Sequence, residues 1–151
     1  MQRIDRFTLE EHKGPYDSWG GKSKLLLDGV PTGLNISGYS LLHQIQIPEG
    51  YLLVTDFDCP WEETTCFTHI STELKYISSD SFSGTMYGSD ALTDFVLMNN
   101  GVIRFVLEIE GPLELTFGSR NALSERSRMT FTKLNPDDYL AQLKDSDKPI
   151  G

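Results

Sequence analysis

The eight residues from Asp56 to Glu63, Asp-Phe-Asp-Cys-Pro-Trp-Glu-Glu, hold four carboxylates and one tryptophan and no cation. A large ring surrounded by like charge suits an interface that anchors a cationic partner. The ring supplies apolar area to bury, and the carboxylates steer the encounter. Asp56, Asp58, Trp61, Glu62 and Glu63 are therefore the candidate partner-binding residues. The same segment also fits a solvated loop with Trp61 folded back over the sheet. Metal chemistry fits it less well. Asp56-x-Asp58 opens like a calcium loop, but the glycine and the closing glutamate of that loop are missing. Cys59, Cys66 and His69 do not have the close cysteine pairing of a zinc site, and a regular strand would point Cys66 and His69 to opposite faces. No metal or other cofactor is expected.

A second candidate group is Tyr16 and Trp19, in the loop Gly14-Pro15-Tyr16-Asp17-Ser18-Trp19-Gly20-Gly21. Their rings are suited to stacking on a sugar, to gripping a partner, or to burial over an open end of a sheet. Gly20-Gly21-Lys22-Ser23 resembles the end of a phosphate loop, but Tyr16 stands where the first glycine must be, and a strand follows instead of a helix. Asp90 and Asp94 extend the acidic patch if their loop lies at the same end of the fold. Nucleophilic catalysis has little to build on. The histidines are His12, His43 and His69, no G-x-S-x-G elbow occurs, and His43 falls on an apolar strand face. No catalytic residue is assigned, and an enzyme is the less expected outcome.

Charge is the strongest global signal. From Leu25 to Ile103 there is a single basic residue, Lys75, against ten acids, so this stretch carries the whole formal charge of -9. That balance disfavours nucleic acid, whose phosphates would meet repulsion instead of releasing counterions. No apolar run approaches the roughly 20 residues of a membrane span. The start of the chain has no apolar signal core, so a cytoplasmic protein is expected. Two cysteines are too few for a disulfide framework. Arg120 to Arg128 is the one locally basic stretch, expected to be a solvated loop.

These side chains must be positioned by strands. Leu41, His43, Ile45 and Ile47 alternate with Leu42, Gln44 and Gln46, and Pro48-Glu49-Gly50 turns the chain into Tyr51 to Thr55. Asn100-Gly101 is the clearest hairpin signal, with a type I′ turn expected. In the strand after it, Ile103, Phe105, Leu107 and Ile109 should face the core, with Arg104 and Glu108 in water. Further strands are expected at Ser23 to Leu27, Thr65 to Ile70, Leu74 to Ser78, Leu113 to Phe117 and Met129 to Leu134. Asn135-Pro136-Asp137-Asp138 should start a short helix whose Tyr139, Leu140 and Leu143 pack on the sheet. Leu9 to His12 should make a helical turn, and residues 145–151 a frayed tail. The result is one acidic domain over residues 1–151: a mostly β, antiparallel sandwich or barrel of about 8–10 short strands with a short C-terminal helix.

Three functions fit such a domain. The first is a non-catalytic inhibitor that neutralises a basic protein partner, for example a toxin enzyme. This profile resembles bacterial immunity proteins in type, though not in motif. The second is a small-molecule or carbohydrate binder that uses Trp19, Tyr16, Tyr39 or Trp61. The third is an enzyme whose site is assembled from distant residues. Fold alone does not separate them.

Overall fold

The structure is a computed structural model that describes residues 1–59, 63–83, 90–118 and 129–145. Within these the chain forms β1 (Gln2–Arg3), β2 (Phe7–Leu9), β3 (Lys22–Leu27), β4 (Val30–Ser37), β5 (Ser40–Ile47) and β6 (Gly50–Asp56). There follow β7 (Thr65–Ile70), β8 (Tyr76–Phe82), β9 (Leu92–Leu97), β10 (Ile103–Leu107), β11 (Gly111–Phe117), β12 (Met129–Lys133) and the helix α1 (Pro136–Asp145). The protein is mostly β, as its alternating pattern requires. All pairings are antiparallel and build three sheets, ordered β1-β5-β6-β7-β8, β12-β11-β10-β9 and β2-β3-β4.

The five-stranded sheet is the middle layer of a β-sandwich with a third sheet on its back. One face presents Ile45, Ile47, Leu52, Val54 and Phe67 to the four-stranded sheet, where Phe95, Ile103, Phe105 and Leu115 meet them. The opposite face presents Leu53 and Ile70 to Phe7, Leu25 and Ile36 of the three-stranded sheet. The unbroken apolar run Leu52-Leu53-Val54 follows from this layering. A strand covered on both sides has no reason to alternate, and all three residues are fully buried.

Several local expectations are corrected. Leu41 and Ile45 do not share a face, because a β-bulge at Leu42 shifts the β5–β6 register between Leu41 and His43. Leu41 consequently packs in the core behind the middle sheet, and Ile45 in the core before it. Asn100-Gly101 does close a hairpin, but only Gly101 has positive φ (78°), and its N–H bonds back to the Met98 carbonyl. This is a three-residue turn, not type I′. Arg104 is buried and pairs with Glu114 at 3.2 Å. Ile109 is 48% exposed because β10 ends at Leu107 and residues 108–110 form a turn. Leu9 ends β2 instead of opening a helical turn, and β4, which holds Pro31 and Gly33, is a strand absent from the sequence-based expectation. Proline is tolerated there because β4 is an edge strand. The helix starts as its cap predicts, with Asn135 Oδ1 accepting the Asp137 N–H at 2.9 Å. Tyr139 packs inward, whereas Leu140 is exposed. Leu143's packing, the Arg120–Arg128 stretch and residues 146–151 lie outside the described residues.

Candidate functional site

The loop after β6 is organised by Glu63. This residue is 7% exposed, and its carboxylate accepts the backbone N–H of Phe57 at 2.7 Å, of Cys59 at 2.9 Å and of Thr64 at 3.2 Å. Glu63 is thus a staple that folds the loop, and the expectation that it meets a partner as an exposed charge is corrected. Asp56 and Asp58 differ from it. Asp56 closes β6 half-buried and accepts the Asp58 N–H at 3.1 Å. Burial, and then the nearby Glu63 charge, hold the Asp56 carboxyl above the usual carboxylate range. Asp58 stands exposed at φ 50°, a left-handed position that aspartate tolerates better than most residues. Trp61 and Glu62 lie outside the described residues.

Asp90 does come to this end of the sandwich, since its N–H bonds to the Glu63 carbonyl at 2.9 Å. It is nevertheless fully buried. Its carboxylate accepts the N–H groups of Ile109 and Glu110 at 2.8 and 3.3 Å and so shapes the turn after β10. Asp94 sits on the outer face of the four-stranded sheet and accepts the Tyr139 hydroxyl at 3.0 Å, which ties α1 down. Both acids have structural partners, and the buried Asp90 adds no exposed charge beside Asp58.

The two candidate loops are joined. The Tyr16 hydroxyl donates to the Phe57 carbonyl at 2.6 Å, which seats the loop after β2 against the loop after β6. Around this contact lie five rings. Tyr39 meets His12, Tyr16, Trp19 and Phe57 edge-on, at centroid distances of 4.9 to 5.3 Å. Trp19 also stacks on His12 and tilts against Tyr16, each at 5.0 Å. Tyr16 is 41% exposed, and Trp19, Tyr39 and Phe57 are half-buried. The Tyr16 phenol is pushed up to about 12, mainly by desolvation and then by neighbours that include Glu63 and Asp58.

His12 and Phe57 were missed as members of this cluster. The Phe57 contact had a signal. Extending the β5–β6 hairpin back from its turn, through the bulge, sets Ser40 opposite Asp56 and brings Tyr39 to Phe57. No comparable pattern announces His12.

Among the described residues, the histidines and thiols are held in structural contacts. His12 Nε2 lies 2.7 Å from Ser23 Oγ, but the Ser23 hydrogen goes to the Gly38 carbonyl at 2.6 Å. The imidazole is therefore the donor, the reverse of what a base needs. His43 Nδ1 accepts from the Arg3 guanidinium at 3.0 Å, and its ring stacks on Phe95 at 4.1 Å. Burial, helped by the Arg3 charge, lowers its pKa to about 4. His69 is fully buried, and the hydroxyl of Ser78 opposite makes no hydrogen bond among the described residues. Cys59 and Cys66 are free thiols, with Cys66 raised to about 11 by burial. Among the described residues no cluster of three or more His, Cys, Asp or Glu could hold a metal ion, and no helix is long and apolar enough to cross a membrane.

No protein-family model, curated protein or solved structure matches the chain.

Proposed function

We propose that this protein is a non-catalytic binding domain of the immunity type, which captures and neutralises a basic protein partner in the cytoplasm. The observation that carries the reading is the Tyr16–Phe57 hydrogen bond. It seats an exposed ring against the loop that carries the exposed Asp58, on a chain with net charge -9, which supports the reading. An aromatic anchor beside exposed negative charge supports tight, electrostatically steered association. Trp61 and Glu62, neighbours of Asp58 in the sequence, are proposed as partner-binding residues on their residue types alone.

A sugar platform is supported less well. The rings around Tyr39 meet near right angles, from 68° to 88°, so Tyr39 shares no flat face with its neighbours.

The test is capture of partners by the tagged protein from its native lysate, with elution by rising salt. The expected result is a stoichiometric basic protein that is released by salt and lost when Asp58→Lys and Tyr16→Ala are combined. An empty column at low salt, or a partner indifferent to both changes, would overturn the proposal.

A further inference from the structure

We infer that the group this surface takes from its partner is an arginine guanidinium, laid on the outer face of Tyr16 and forked onto Asp58. The inference rests on the reading above and names the chemistry of the contact.

The Tyr16 ring is exposed yet fixed. Its hydroxyl is bonded to Phe57, and its flanks are braced by Trp19 and Tyr39. A ring held this way loses little freedom when a cation lands on it, so most of the contact energy remains as affinity. Donating its hydroxyl hydrogen to a carbonyl also leaves the phenol ring richer in electrons, which favours a cation on its face. The phenol keeps its proton at neutral pH, so the attraction is that of a ring and not of a phenolate.

Asp58 supplies the second half of the seat. Its residue is exposed, makes no side-chain hydrogen bond or ion pair among the described residues, and directly follows Phe57, whose carbonyl takes the Tyr16 hydroxyl. A planar guanidinium can lie flat on a ring while its edge donates two parallel hydrogen bonds to a carboxylate. A lysine ammonium is a point charge and reaches one of the two well. The chain uses similar chemistry internally, where the Arg3 guanidinium lies 5.5 Å from the Phe95 ring centroid while bonding His43 and the Phe95 carbonyl.

The experiment compares hexa-arginine with hexalysine on the unmodified full chain. Binding is followed by titration calorimetry at low salt. Hexa-arginine should bind about 10-fold more tightly than hexalysine. Tyr16→Leu should erase that preference, and Tyr16→Phe should keep most of it. Asp58→Asn should also weaken the arginine peptide more than the lysine peptide, a readout that survives if Tyr16→Leu fails to fold. Equal, salt-sensitive binding of both peptides, unchanged by either substitution, would overturn the guanidinium seat while leaving an acidic interface standing. Failure of both peptides to bind would overturn the seat and, with an empty capture column, the binding-domain reading as well.

Discussion

The Glu63 carboxylate lies 2.7 Å from the backbone nitrogen of Phe57, six residues earlier, and reaches two further amides from the same position. Removing it would take the acceptor from three part-buried N–H groups. Glu63→Ala should cost about 2–4 kcal/mol of folding stability. Asp58→Asn, on an exposed side chain, should stay within about 0.5 kcal/mol. Urea unfolding of both variants checks the contrast. Equal effects would mean that Glu63 is not the staple.

His43 gives the stability a defined response to acid. Its folded pKa lies near 4 against an ordinary value of 6.5, so between those values the unfolded chain binds a proton that the folded one refuses. Stability from this group is complete above pH 6.5, falls as the pH drops towards 4, and is flat below. Protonation would set an imidazolium against the Arg3 guanidinium, the facing charge. Asp56 and Asp80 have raised values and act in the opposite sense. The readout is therefore the difference between the wild type and His43→Gln. Denaturant midpoints from pH 7.5 to 4.5 should converge as the pH falls.

Gly50 begins β6 at φ 136°, and a Cβ there would run into the backbone carbonyl of Ile70 on the neighbouring strand. Gly101 also has positive φ, but open space surrounds it. Gly50→Ala should destabilise by more than about 3 kcal/mol, and Gly101→Ala by about 1 kcal/mol. Thermal or urea melts of the two variants separate a steric requirement from a conformational one.

Tyr139 ties the C-terminal helix to the sheet through its hydroxyl and Asp94. Tyr139→Phe keeps the packing and loses the hydrogen bond, at an expected cost of about 1 kcal/mol. Amide exchange within residues 136–145 should speed up while that of β6 stays unchanged. Unaltered helix exchange would show that the tether is not needed.

The strands were legible in the sequence where apolar residues alternate or run together, as in β3, β5, β6, β7, β10 and β11. What could not be read was the second layer of context. Leu53 and Leu52 look alike in sequence, yet they belong to different cores, because nothing local says that a third sheet covers the back of β6. Arg104 was expected in water because it alternates with apolar residues, and nothing in the β10 pattern tells which sheet face the expected helix covers. The site was legible in its residue types and not in its roles. Asp58 and Glu63 are both acids of one loop, and only the direction of the backbone N–H groups makes one a structural acceptor and leaves the other exposed.

The middle sheet carries a consequence for how the molecule comes apart. Leu53 in one core and its neighbours Leu52 and Val54 in the other hang on a single backbone, so neither core can be flooded without stripping a wall from its neighbour. The outer sheets therefore have no separate melting step available through β6. Its amides should open only with the molecule as a whole, as the slowest-exchanging set in the chain.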